Sequence, residues 1–162
     1  MTETILKMQK KVKRYLDKDR YDHTIGVMHT AGCLAMRYGA NLEQALTAGL
    51  LHDCAKCVPA DEKIKLCEKN HIEISDAEYK NPGLLHAKLG AFFAREKYGI
   101  ENEEILRSIE SHTTGRPNMS LLDKIIYIAD YIEPGRDVAP NLPEVRALAF
   151  VDIDACLYRI LE

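Results

Sequence analysis

Apolar residues recur every three or four positions along almost the whole chain, which is the spacing of amphipathic α-helices. In the first segment, for example, Ile5, Met8 and Val12 follow this spacing. No stretch alternates apolar and polar residues over the length of a useful β-strand. The pattern therefore predicts an all-α bundle of about seven to nine helices.

Capping and helix-breaking residues set the expected boundaries. Thr2 or Thr4 is the expected N-cap of the first helix, and Gly39 and Gly99 are expected to end later ones. Ser120 begins a sequence that is typical of a capping box. The other predicted helices cover residues 20–38, 41–52, 59–70, 84–98, 102–112 and 120–132, with two more within 143–161. Residues 71–82 are predicted to be a connection with a short helical piece.

Length and composition predict one globular domain over residues 1–162, with 46% hydrophobic and 29% charged residues. The net charge of −3 argues against nucleic-acid binding through bulk electrostatics. No stretch approaches the ~20 apolar residues of a membrane span, and the N-terminus lacks the apolar core of a signal peptide. The five cysteines are irregularly spaced, so we expect free thiols in a reducing cytoplasm.

Histidine and aspartate residues at the ends of apolar segments indicate a metal site. His52 and Asp53 are adjacent at the end of an apolar run. Neighbours on a helix diverge by about 100°, so this pair could reach two metal ions, or one ion from two sides. Asp130 interrupts a second apolar helix, where an unpaired carboxylate would carry a large desolvation cost, so we expect it to meet a cation. The other candidates at or near helix ends are His23, His86 and His112.

Each candidate taken alone has a simpler explanation, because a lone histidine is more often an ordinary core or surface residue. The combination in one short chain favours a metal centre. Imidazole and carboxylate ligands suit Fe, Mn, Co or Zn, and the absence of paired cysteine ligands argues against a structural zinc site. Cys54 and Cys57 have two-residue spacing but no second pair, so they do not indicate a zinc ribbon. His29 and His71 are left outside the predicted site.

Five motifs between residues 20 and 136 carry a resemblance to a known family. They are RYDHTIGV from residue 20, LHDCAK from 51, HAKLG from 86, HTTG from 112 and DKIIYIADYIEPGR from 123. In this order they resemble the motifs of the HD-domain metal-dependent phosphohydrolases, and within them the branch of symmetrical bis(5′-nucleosyl)-tetraphosphatases. The chain ends soon after the last motif, so we expect a C-terminal segment of that branch to be trimmed or absent.

The resemblance implies a dinuclear metal centre in an HD-domain helical bundle. The implied ligands are His23, His52, Asp53 and Asp130 for one divalent transition metal ion, and Asp53, as a bridge, with His86 and His112 for a second. Iron is the first expectation for both ions, with manganese, cobalt and zinc as alternatives. A metal-bound hydroxide would then cut diadenosine tetraphosphate in the middle into two ADP. Asp53 and Lys56 are the expected catalytic residues.

A polyphosphate substrate also needs cations and hydrogen-bond donors beyond the metal ligands. Lys56 follows His52 by about one helical turn and is expected on the same face if the helix continues. A solvated lysine at a helix end is the alternative. The expected substrate contacts are Arg20, Lys56, Thr113, Thr114, Gly115 and Arg136, each of which, taken alone, also suits a surface or loop position.

Two other functions stay open at this point. An HD phosphohydrolase for another nucleotide, such as a deoxynucleotide or a guanosine alarmone, would have the same ligands. A non-catalytic nucleotide-binding module would keep only the fold, and a complete set of six candidate ligands argues against it. The expected partner is a small nucleotide, with no nucleic acid and no membrane, and a homodimer is left open.

Overall fold

The structure is a computed structural model that describes residues 1–139 and 141–162, and these residues form α-helices, one short 3-10 helix and no β-strand. The α-helices are α1 (Glu3–Val12), α2 (Lys18–Tyr38), α3 (Leu42–Leu51), α4 (Ala60–Lys69), α5 (Asp76–Lys80), α6 (His86–Tyr98), α7 (Glu103–Ser111), α8 (Leu121–Ile132), α9 (Leu142–Leu148) and α10 (Ile153–Leu161). The 3-10 helix spans Pro82–Leu85. The all-α prediction is confirmed.

The short helical piece predicted within residues 71–82 is helix α5, and with it the described α-helices number ten. Its N-terminus is stabilised by a reciprocal capping box. The Ser75 hydroxyl accepts from the Glu78 backbone N–H at 3.4 Å, and the Glu78 carboxylate accepts from the Ser75 backbone N–H at 2.8 Å. These two local bonds satisfy N–H groups at the helix start and offset the short length of the segment.

Two boundaries differ from the predicted ones for local reasons. Helix α2 begins two residues earlier than predicted, because the Asp17 carboxylate accepts from the Arg20 backbone N–H at 2.8 Å and caps the helix there. Helix α6 begins at His86 instead of residue 84, because the preceding Pro82–Leu85 turn is 3-10. This places His86 at the first position of its helix, where the chain changes direction.

Helix α3 lies at the centre of the described part of the fold and contacts α1, α2, α6, α7 and α8. Its Leu50 and Leu51 are fully buried. The approach of α2 to α3 is especially close at Gly49, where a Cβ atom would lie 2.9 Å from the Met28 Cα. Glycine is therefore required for these backbones to pack at this distance, which brings the first turns of α2 towards the end of α3.

Helices α7 and α8 complete the surroundings of α3. Helix α7 packs against α3, α6 and α8, and α8 packs against α2, α3 and α7. On α8, Ile125, Ile126 and Ile128 are fully buried, which orients this helix along the core. Among the described helices, none combines the length and the apolar character that crossing a membrane requires.

Candidate metal centre

The six predicted ligand residues come together at one end of α3. Their positions are His23 in α2, His52 at the C-cap of α3 with Asp53 after it, His86 at the start of α6, His112 at the C-cap of α7, and Asp130 in α8. Four of them, His52, Asp53, His86 and His112, are buried, whereas His23 and Asp130 are partly accessible. Helices that are far apart along the chain thus place their polar side chains close together.

The Asp53 carboxylate lies between two sets of imidazoles. Its Oδ2 atom is 3.5 Å from His52 Nε2 and 4.0 Å from His23 Nε2. Its Oδ1 atom is 3.2 Å from His86 Nε2 and 3.5 Å from His112 Nε2. One carboxylate can therefore offer an oxygen to each of two cations, as a bridging ligand does.

Asp130 closes the first of these sets from the opposite side. Its Oδ1 atom lies 3.0 Å from His23 Nε2 and 3.8 Å from His52 Nε2. The ligand atoms form two overlapping groups, His23–His52–Asp130 and His52–Asp53–His112, and within each group all atoms lie within 4.8 Å of one another. Each of these groups could hold a metal ion, and the two groups share His52.

Three of the four histidines are oriented by their own helix ends or turns. The Nδ1 atoms of His52, His86 and His112 lie 2.7, 2.6 and 2.6 Å from the backbone carbonyl oxygens of Gly49, Gly83 and Ile109, each three residues earlier in the chain. A carbonyl only accepts, so each Nδ1 carries the proton and donates it. Nε2 of each ring therefore faces the centre and is the atom that would ligate a metal ion.

His23 is oriented differently, by a residue that is distant in sequence. Its Nδ1 atom lies 3.0 Å from Oε1 of Glu133, and Oε2 of Glu133 accepts the Gly135 backbone N–H at 2.7 Å. Glu133 is buried, and the Gly26 backbone lies so close that a Cβ there would collide with Oε2. Glu133 is not among the site residues predicted from the sequence. Two features of the sequence could have indicated it: a glutamate directly after an apolar helix, and a glycine, Gly26, within α2.

Both central aspartates are ionised. Burial raises the pKa of Asp53, but the protonated form of His52 and the close Nε2 atoms of His112, His52 and His86 outweigh burial and hold the pKa well below its usual value. Burial lowers the pKa of His52, but Asp53 and Asp130 raise it overall, so a metal ion bound there would displace a proton. Burial also raises the pKa of Asp130, and the His23 hydrogen bond with the charges of His52 and His112 lowers it further than burial raises it. Burial lowers the pKa of His86, which favours the neutral ring that can bind a metal.

The atoms without partners fit a bound cation. Within the described chain, His52 Nε2 and Asp53 Oδ1 are buried and lack a hydrogen-bond partner. His86 Nε2 and His112 Nε2 are only 3.1 Å apart. Ligand atoms about 2.0–2.2 Å from a common divalent ion lie roughly 3 Å apart. The donor set therefore fits divalent transition metals.

The predicted substrate contacts fall into two groups. Arg20 lies 2.8 Å from Asp53 Oδ2, and Arg136 lies 3.0 Å from Asp130 Oδ1, so both arginines neutralise the candidate ligand carboxylates. The Thr113 hydroxyl lies 3.2 and 3.1 Å from Nε2 of His86 and His112. Thr114 and Gly115 do not touch the ligands and line a neighbouring cavity instead.

Lys56 reaches the centre by a different route from the predicted one. Helix α3 ends at Leu51, so Lys56 lies in the following turns and not on a continued helix. Its Nζ atom is 3.2 Å from His86 Nε2 and 4.0 Å from Asp53 Oδ1. The buried Lys63 donates to the Lys56 carbonyl at 3.1 Å, which fixes the turn.

The residues left outside the predicted site are two histidines and the cysteines. His29 and His71 are exposed. Cys54 and Cys57 are free thiols, as are the other three cysteines of the chain. Burial raises the pKa of Cys54 to about 12, so its thiol is protonated at neutral pH and unsuited to act as a nucleophile.

Comparison with known proteins adds to this geometry. The HD domain family matches residues 20–135, a range that contains all six candidate ligands. A symmetrical bis(5′-nucleosyl)-tetraphosphatase from Halalkalibacterium halodurans is 46% identical over 146 residues, which cover 90% of this chain and 77% of the relative. The enzyme of the same description from Bacillus subtilis is 42% identical over 151 residues, covering 93% and 80% respectively.

A solved structure has the same fold. It is described as a predicted HD superfamily hydrolase involved in NAD metabolism, from Clostridium acetobutylicum. It superposes with a TM-score of 0.88 at 45% sequence identity, over 93% of this chain and 79% of that one. The arrangement of helices around the candidate centre is thus shared with an experimentally determined relative.

Proposed function

Since the chain belongs to the HD-domain family of metal-dependent phosphohydrolases, together with the symmetrical bis(5′-nucleosyl)-tetraphosphatases, we propose that it hydrolyses diadenosine tetraphosphate to two ADP. Hydrolysis adds one water across the central P–O–P bridge, so both products are the same nucleotide. The names of the relatives support this substrate over another nucleotide and over a non-catalytic module.

The observation that carries the proposal is the position of Asp53 between two sets of imidazoles. We assign His23, His52, Asp53 and Asp130 to one divalent ion, and His86, His112 and the second Asp53 oxygen to another. Iron is the first candidate for both ions, and manganese, cobalt or zinc would suit the same ligands. When bound, such a pair of ions supplies a water of lowered pKa and offsets charge on the phosphoryl oxygens.

The remaining residues position the substrate and balance charge. Lys56 Nζ is 3.2 Å from His86 Nε2, so its ammonium is placed to donate to a phosphoryl oxygen at the edge of the centre. The Thr113 hydroxyl, beside the same imidazole, is a second donor. Arg20 and Arg136 pair with Asp53 and Asp130, which limits the repulsion between these carboxylates and a polyphosphate.

Product chromatography tests the reaction. Protein purified without oxygen and supplied with Fe(II) or Mn(II) is incubated with diadenosine tetraphosphate, and we expect ADP as the sole nucleotide product. AMP with ATP would overturn the symmetrical cut. Cleavage of a different nucleotide in a panel, with none of diadenosine tetraphosphate, would overturn the substrate.

Variants test the centre itself. We expect His52→Ala and Asp53→Asn to lose bound metal and turnover together, because each removes a ligand that has no substitute nearby. Asp53→Asn keeps the shape of the side chain, and circular dichroism verifies that the variant is folded. The matched control is His29→Ala, an exposed histidine on α2, which should keep both properties. Full turnover in a folded Asp53→Asn protein would refute the assignment.

A further inference from the structure

The second ion of the proposed centre has one assigned protein ligand fewer than the first. Four side chains are assigned to the first ion, whereas the second has His86, His112 and the shared carboxylate of Asp53. A divalent transition metal ion takes four or more ligands, so at least one position at the second ion is left for another donor. Water or substrate can supply that donor, and so can a further side chain.

The Thr113 hydroxyl lies where such a donor is required. Its oxygen is 3.2 Å from His86 Nε2 and 3.1 Å from His112 Nε2, and these two nitrogens are 3.1 Å apart. The three atoms therefore form a nearly equilateral triangle. Ligand atoms about 2.0–2.2 Å from a common divalent ion lie roughly 3 Å apart, so the hydroxyl oxygen has the spacing of a ligand relative to both imidazoles.

The chemistry of the neighbouring groups also favours Thr113. The Lys56 ammonium is just as close to this pair, with Nζ 3.2 Å from His86 Nε2. An ammonium has only donors and no lone pair, so it is not a metal ligand. A threonine hydroxyl has two lone pairs and binds divalent cations directly in other proteins, as the Ser/Thr of phosphate-binding loops does with Mg²⁺.

The turn after α7 holds Thr113 in this position. Gly115 has a φ angle of 67°, in the left-handed region that favours glycine, and its N–H donates to the carbonyl of Ser111 at 2.8 Å. The turn contains two threonines in different surroundings. Thr113 is half-buried beside the imidazoles, whereas Thr114 is exposed and its hydroxyl donates to the Gly115 carbonyl at 3.3 Å.

We propose that Thr113 is a fourth protein ligand of the second ion, through its hydroxyl oxygen. The inference rests on the proposed function, because it requires the two-metal centre, but it is independent of which nucleotide is cut. Each ion then has two imidazole nitrogens and two oxygens from the chain, a mixed set that suits iron and manganese. The hydroxyl keeps its proton, which remains available to a phosphoryl oxygen.

Titration with Mn(II), followed by electron paramagnetic resonance of the free ion, tests the proposal without any turnover. Thr113→Val replaces the hydroxyl by a methyl group of similar size. We expect one of two ions to bind at least about tenfold more weakly, the lower end of the loss typical for residues that support a metal site, and the other to be unchanged. Thr113→Ser keeps the hydroxyl and should bind both ions with near wild-type affinity. Thr114→Val, the same chemical change at the next residue, is the matched control and should also bind both.

The direction of the effect separates a ligand from a simple hydrogen-bond partner. A hydroxyl that only hydrogen-bonds the imidazoles must give up that bond when an ion takes the same Nε2 atom. Its removal would then leave Mn(II) affinity unchanged or increase it. Either result in a Thr113→Val protein that circular dichroism shows to be folded would overturn the proposal.

A crystal structure of the Mn(II)-loaded wild-type protein supplies a second readout. We expect the Thr113 Oγ1 atom within about 2.3 Å of the ion that His86 and His112 bind. An Oγ1 atom more than about 3 Å from both ions would overturn direct ligation, even if Thr113→Val bound Mn(II) more weakly.

Failure of this inference differs from failure of the proposed function. If the wild-type protein binds fewer than two Mn(II) ions per chain, the two-metal centre is wrong and this inference falls with it. If the wild-type protein binds two ions and makes ADP from diadenosine tetraphosphate, but folded Thr113→Val binds both ions equally well, the role of Thr113 is wrong and the proposed function stands.

Discussion

Replacing Glu133 by glutamine tests the role of His23, the one candidate ligand histidine that is oriented by a side chain distant in sequence. The Glu133 carboxylate accepts two hydrogen bonds, from His23 Nδ1 at 3.0 Å and from the Gly135 backbone N–H at 2.7 Å. Glutamine has nearly the same shape but only one accepting oxygen, because its other terminal group is a donor. It can satisfy both neighbours only if His23 Nδ1 becomes an acceptor.

That change moves the His23 proton to Nε2, which is the atom directed to the candidate metal centre. Without metal, every group in Glu133→Gln keeps a partner, so the variant should fold normally. Binding a metal at Nε2 forces the proton back to Nδ1 and leaves one buried donor without an acceptor. Such a loss costs roughly 1–3 kcal/mol. At 1.4 kcal/mol per factor of ten, this is about a 5- to 150-fold loss of metal affinity.

Titration with Mn(II), followed by electron paramagnetic resonance of the free ion, measures this effect without any turnover. We expect one of two ions to bind more weakly, because His23 lies with His52 and Asp130, whereas His86 and His112 keep their own carbonyl partners. Glu144→Gln is the control, since it makes the same chemical change at an exposed surface pair with Arg159. Two ions bound with wild-type affinity in folded Glu133→Gln would refute the reasoning.

Three further predictions concern the scaffold. Gly49→Ala should destabilise the fold by up to about 2 kcal/mol, because the new Cβ meets backbone of α2 and the packing cost exceeds the gain in helix propensity. Gly32→Ala should be neutral or stabilising by up to about 1 kcal/mol, because its Cβ meets the flexible side-chain ends of Leu46 and Leu42 and no backbone of another helix; urea unfolding of both variants measures the difference. Burial and the charge of Lys56 lower the pKa of Lys63 from 10.5, so the unfolded state binds the Lys63 proton more tightly than the folded state does. The free energy of unfolding of the wild-type protein, relative to that of Lys63→Met, should therefore rise as the pH increases towards 10.5. Urea unfolding across this pH range measures the difference, and a constant value would contradict the prediction.

The helical framework followed from local patterns, because caps and breakers act within one turn of the chain. The Ser120 capping box and the glycine ends of α2 and α6 were readable for that reason. Candidate ligands were recognisable as polar residues at the ends of apolar helices. Their separation into two sets around Asp53 could not be predicted from spacing, because it depends on how α2, α6, α7 and α8 pack around α3.

Glu133 was missed for a related reason. It acquires its role only through a contact between elements that are distant in sequence, at Gly26 of α2 against the end of α8. The alternative for Lys56, a solvated helix end, also depended on whether α3 continued. It does not, and the turn that follows brings Lys56 back to His86.

The four histidines of this centre are oriented partly by carbonyl groups of their own helices or turns and partly by a residue that is distant in sequence. His52 and His112 follow the ends of α3 and α7, where the last carbonyl groups have no intrahelical partner and can accept from Nδ1. His23 lies inside α2, where backbone carbonyls already accept from the helix, so its Nδ1 needs an acceptor from another element. Only Glu133 supplies one to His23 in the described chain. The site that includes His23 therefore depends on the packing of α2 against α8, and disruption of that contact should weaken this site before the one formed by His86 and His112.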